Sequence, residues 1–146
     1  MKREQNVKRL SLMALLAMTV SAGAAPVDVT GAWFRALPGK LPAGGYFTVL
    51  NNTGRDVAIV AVQSEACGML MLHQSKVTGG MSGMDMVDKV NVPAGGRIAF
   101  APGGYHLMCT DPTPRMKIGA RVPVLLSLSD GTAVAVAFAV RGATGK

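Results

Sequence analysis

Glycine and proline set the architecture open to this chain. They recur so often after residue 25 that no stretch keeps the 3.6-residue apolar period of a long amphipathic helix. Short runs rich in Val, Ala, Ile and Leu lie between them and read as strands at 28–35, 46–50, 57–63, 69–74, 89–92, 97–101, 105–109, 122–129 and 133–141. Pro93-Ala94-Gly95-Gly96 and Pro102-Gly103-Gly104 supply the fixed or positive φ that turns need, and Asp130-Gly131 reads as a two-residue hairpin loop. The spacing predicts an all-β sandwich. Residues 77–86, rich in Gly and Met, read as a flexible loop within one domain.

The N-terminus has a different character. Lys2, Arg3, Lys8 and Arg9 precede an uncharged apolar run, followed by Ser21-Ala22-Gly23-Ala24-Ala25, the pattern of a secretory signal peptide cleaved after Ala24. The apolar run is shorter than the roughly 20 residues of a transmembrane helix. Export to the periplasm is therefore expected, with 25–146 as the mature domain and no membrane span after cleavage. Residues 1–24 hold four of the 15 Lys/Arg and one of the eight Asp/Glu, so the formal charge of +7 falls to +4 for the remainder. Those cations are scattered and aromatic residues are few, which argues against a nucleic-acid surface.

Histidine is scarce and methionine abundant, with two of the first and ten of the second. Strand alternation puts Met69, Met71 and His73 on one face, and His106 and Met108 together on another strand. Met84 follows in the glycine-rich segment, where it can swing over an ion held by the others. Thioether sulfur is a soft, neutral donor that favours Cu(I), and imidazole suits several transition metals. The candidate site is therefore His73, Met84, His106 and Met108. It lacks anionic ligands, so it should be partly exposed rather than deep in the core. Met69 and Met71 read as core packing, and Met81 and Met86 as exposed loop residues that can alternatively replace Met84 or form a copper entry path.

His73, ten residues, Met84, 21 residues, then His106-Leu107-Met108 resembles the ligand motif of the periplasmic copper chaperone family PCu(A)C. Ala32-Trp33-Phe34-Arg35-Ala36-Leu37-Pro38, Gly45-Tyr46-Phe47-Thr48-Val49-Leu50-Asn51, Val92-Pro93-Ala94-Gly95-Gly96 and Pro102-Gly103-Gly104-Tyr105 extend the resemblance over nearly the whole mature chain. The resemblance implies a single cupredoxin-like Greek-key β-sandwich and Cu(I) as cargo. It also implies a monomer that exchanges copper with periplasmic or membrane-anchored proteins of cytochrome c oxidase assembly. The chain stops at Lys146 without the His/Met-rich extension some members of that family carry, so one Cu(I) per chain is expected.

Cys67 and Cys109 are the only cysteines. In an exported chain they are expected to form one disulfide, with a buried or metal-assisting thiol as the alternative. Strand parity opposes the bond unless an irregularity intervenes, and Gly68 is placed to supply one as a bulge. A blue-copper electron-transfer protein is the competing function, but it needs a Cys thiolate ligand, and Cys109 points away from the face of Met108. Copper storage or tolerance is a further alternative. An enzyme has no support, because no Ser-His-Asp order and no paired acids near the histidines occur.

Overall fold

The computed structural model describes residues 25–146, so the expected signal peptide lies outside the described residues. Among these, no helix is long and apolar enough to cross a membrane. Ten strands occur: β1 (Val27–Arg35), β2 (Ala43–Asn51), β3 (Val57–Gln63), β4 (Cys67–Thr78), β5 (Met81–Met86), β6 (Val90–Val92), β7 (Arg97–Phe100), β8 (Tyr105–Pro112), β9 (Arg121–Leu128) and β10 (Ala133–Arg141). Their hydrogen-bonded order is β5-β4-β8-β2-β1-β10-β9-β3-β6, with β7 paired to β2. Among the described residues only β1 and β10 run parallel. Strands remote in sequence thus lie side by side, as the Greek-key expectation requires, and the sheet wraps a single core as a β-sandwich.

Alternation builds that core. Val122, Val124, Leu126 and Leu128 of β9 turn inward while Arg121 and Pro123 face out, the period of two proper to a half-buried strand. Phe34, Phe47, Phe100 and Phe138 meet at its centre; the Phe47 and Phe100 rings stack with centroids 4.2 Å apart, and Phe34 packs on Phe138 at 5.0 Å. Gly45 lets β2 approach this cluster, because a Cβ there would lie 2.7 Å from Phe34 and 2.9 Å from Leu107. Asn51 is fully buried yet satisfied. Its Nδ2 donates to the carbonyls of Arg55 (2.7 Å) and Val92 (2.9 Å), and its Oδ1 accepts from the Thr53 amide at 2.9 Å and its hydroxyl at 2.7 Å. A buried amide left unpaired costs about 1–3 kcal/mol, so this network fixes the turn after β2.

Three sequence expectations need correction. Residues 77–86 are not a loop: Gly79 and Gly80, at φ 59° and 77°, close a two-residue hairpin between β4 and β5, which positive φ at both central positions permits. The β9–β10 connection spans three residues, Ser129-Asp130-Gly131, because Leu128 and Thr132 already pair; the Gly131 amide bonds the Leu128 carbonyl and Gly131 sits at φ 86°. Met69 and Met71 face outward, Met69 being 58% exposed, because the face they share with His73 is the solvent face of the sheet.

Cys67 and Cys109 are bonded, with Cα atoms 5.4 Å apart. The irregularity demanded by parity is present, but it is not an inserted residue. β4 and β8 keep one register from Cys67–Pro112 to Gln74–Tyr105. Asp111, lying against Gly68, instead adopts a left-handed φ of 45°. Gly68 admits this, since a Cβ there would lie 2.8 Å from that of Asp111.

Candidate metal centre

The hairpin and β8 form a three-stranded outer surface whose register fixes the site. His73 on β4 pairs directly with His106 on β8 and, on its other side, with Met86 on β5. Met71 pairs with Met108, and Ser75 with Met84. Side chains on one face of paired strands lie about 5 Å apart at Cβ, so two imidazoles and four thioethers share one patch. The imidazole centroids are 5.7 Å apart and their planes are inclined at 54°.

All four residues singled out from the sequence therefore reach this surface. His106, Met108 and Met84 line one cleft of about 430 Å³ together with Arg35, Tyr46 and Ser75. Met84 sits diagonally from His73 on the edge strand and is 57% exposed. Met86, read from the sequence as an exposed loop residue able to replace Met84, lies directly beside His73. The Gly79-Gly80 pair was the missed signal: a two-residue turn there sets the register that brings Met86 to His73.

The two imidazoles are held differently. His106 is buried, with Nδ1 3.1 Å from the Gly104 carbonyl. A proton on Nδ1 donated to that carbonyl leaves the Nε2 lone pair free for a ligand, the orientation that metal-binding histidines require. His73 has both ring nitrogens closed off from solvent with no hydrogen-bond partner. Buried polar groups are ordinarily paired, so these orphaned atoms fit a site that accepts an ion.

Desolvation by burial, and secondarily the nearby His106, hold the His73 imidazole below its ordinary value of 6.5. The ring is therefore neutral and ready to donate a lone pair at neutral pH. Unfolding restores the ordinary value, so below about 6.5 the unfolded chain binds more protons at this position than the folded one. His73 should thus oppose folding of the copper-free protein as pH falls through and below that range. Urea denaturation at pH 7.5 and 5.5 checks this: wild type should lose stability at the lower pH, and His73→Gln should lose less. An equal loss in both would remove His73 as the source.

The electrostatics favour a singly charged ion. Among the described residues no three His, Cys, Asp or Glu side chains cluster as a metal site, which leaves neutral thioethers and imidazoles as donors. The Arg35 guanidinium lies in the same cleft, 5.4 Å from the Tyr46 ring centroid and 5.6 Å from that of Trp33. A cation beside the site and no anion within it penalise a divalent ion more than Cu(I). The one ion pair on the hairpin, Lys76–Asp85 at 2.9 Å, belongs to the opposite face by strand parity. The disulfide also removes the thiolate that a blue-copper centre needs.

Comparison with known proteins gives a consistent family. Residues 27–140 match the LpqE-like family, described as "Putative lipoprotein LpqE-like". A similar protein of Leifsonia xyli subsp. xyli, named "Putative lipoprotein Lxx21020", is 32% identical over 131 residues, covering 88% of this chain and 78% of that protein. Among solved structures, Cu(I)-bound DR1885 from Deinococcus radiodurans is similar at 30% identity and TM-score 0.66, over 86% of this chain and 85% of that one. The copper-bound PCuAC domain of PmoF2 has the same fold at TM-score 0.68 and 22% identity, over 82% of this chain and 96% of that domain. On these matches the chain belongs to the LpqE-like family and has the cupredoxin-like β-sandwich of the PCu(A)C copper-chaperone domains.

Proposed function

We propose that the protein is an exported Cu(I) carrier that holds one ion between His73, His106, Met108 and Met84 and passes it to copper-accepting proteins of respiratory oxidase assembly. The observation that carries this reading is the pair of unpartnered, buried His73 nitrogens facing an imidazole already oriented by Gly104. The similar DR1885, 30% identical and solved with Cu(I) bound, supports it. The disulfide supports export, since such bonds persist in oxidising compartments. Export is further proposed to remove residues 1–24, so the intact mass of the secreted form should match a chain starting at Ala25; a mass retaining those residues would contradict it.

The arrangement suits a carrier rather than an enzyme or electron-transfer centre. Its ligands are neutral, so Cu(I) can leave by stepwise ligand exchange with no proton released or taken up by a thiol. His106 and Met108 stand on β8, inside the sheet, whereas Met84 stands on the exposed edge strand. A partner's donor can therefore displace Met84 first while the other three hold the ion. Delivery is separable from storage in cells at limiting copper. Deleting the protein should lower cytochrome c oxidase activity, and added copper should restore it; unchanged activity at limiting copper would favour storage or tolerance.

A further inference from the structure

Resting on that reading of His73, we infer that Met71 and Met86 form with it a second, weaker Cu(I) position, so that one imidazole serves two alternative thioether cradles. Met86 is the direct cross-strand neighbour of His73, whereas Met84 is only its diagonal neighbour. Met71 lies two residues before His73 on the same face, opposite Met108. These two methionines line a separate cavity of about 250 Å³ with Val60, Val62, Leu70 and Asp88, and it shares no wall residue with the cleft of Met84, His106 and Met108; His73 lines neither but stands in register between Met86 of the one and His106 of the other.

His73 has the freedom that such an arrangement needs. The Nδ1 of His106 is occupied by Gly104, which leaves that ring one donor atom. His73 has two, since neither nitrogen has a partner. It can therefore present one nitrogen towards His106 and Met108, or the other towards Met71 and Met86. The imidazole and thioethers of either set are soft or borderline neutral donors, the kind that selects Cu(I). The second set has three donors against four, so it should hold the ion less tightly. β5 pairs only with β4 and each of its residues is exposed, which leaves Met86 free to adjust over an ion.

The test uses mature protein labelled with ¹³C at the methionine methyls and titrated anaerobically with Cu(I) as its acetonitrile complex. Methyl signals are assigned by single Met→Leu changes. In wild type, one equivalent should move chiefly the Met84 and Met108 signals. In His106→Ala/Met108→Leu, which leaves the first set only His73 and Met84, the ion should remain bound at lower affinity, with Met71 and Met86 now the signals that move. Adding Met71→Leu and Met86→Leu to that variant should weaken the residual binding at least tenfold. Met84→Leu/Met108→Leu, which keeps side-chain volume and leaves the first set only its two histidines, gives the same reading if the His106→Ala/Met108→Leu variant does not fold. Stationary Met71 and Met86 signals, no residual binding, or residual affinity unchanged by the two leucines would each overturn the second position. Movement of Met84 and Met108 in wild type would still leave the four-ligand site standing, whereas no movement of any methionine would remove both.

Discussion

Protein of residues 25–146 carrying Cys67→Ala and Cys109→Ala is expected to lose about 4 kcal/mol of stability, the entropic estimate for opening a loop of 42-residue separation. The bond ties the first residue of β4 to β8, the two strands that carry His73, His106 and Met108. Both cysteines are buried, Cys109 completely, so alanine also removes packed sulfur from the core. A loss of this size is a large fraction of the 5–15 kcal/mol typical of a whole domain. Copper-free double-alanine protein should therefore unfold at a much lower urea midpoint than oxidised wild type, and reduced wild type should shift the same way. Matching midpoints for wild type and variant would contradict a stabilising bond.

Most of the fold was legible in the sequence, because Gly and Pro punctuation and period-two alternation act locally. β9 and β10 show it best: their alternation and the Asp-Gly turn point to the hairpin, and only the turn length differed. β5 was not legible. Its sequence, Met-Ser-Gly-Met-Asp-Met, alternates only over its last three residues, and all of it is exposed in the fold. It becomes a strand because it pairs with β4 across the Gly79-Gly80 turn, a partnership that composition does not reveal.

The candidate residues were legible for a simpler reason. With only two histidines in the chain, strand parity alone brings each beside methionines. The same parity misled at Met69 and Met71, because it tells which residues share a face but not which face meets solvent. The disulfide shows another limit. Ideal alternation opposes it, and the left-handed Asp111 that permits it is set by close packing against Gly68.

The second large effect concerns copper. His106 is only 5% exposed, and its Nδ1 contact with Gly104 fixes the ring. Perturbing a group that merely orients a ligand typically costs 10–100-fold in metal affinity, so removing the imidazole itself should cost at least about 100-fold, roughly 2.7 kcal/mol. Met108→Leu should come next, since Met108 also stands on β8 within the sheet. Met84→Ala should cost less, because Met84 is exposed on the edge strand and Met86 is close at hand. Zn(II) should compete poorly throughout, since thioethers select the softer ion.

The most direct test is an anaerobic competition titration against a colorimetric Cu(I) chelator, with wild-type protein of residues 25–146 and His106→Ala measured side by side. Wild type should withdraw one equivalent of Cu(I) per chain from the chelator, and His106→Ala should withdraw it at least about 100-fold less tightly. Equal affinity in the two proteins would place the copper elsewhere and contradict a site built on His73 and His106.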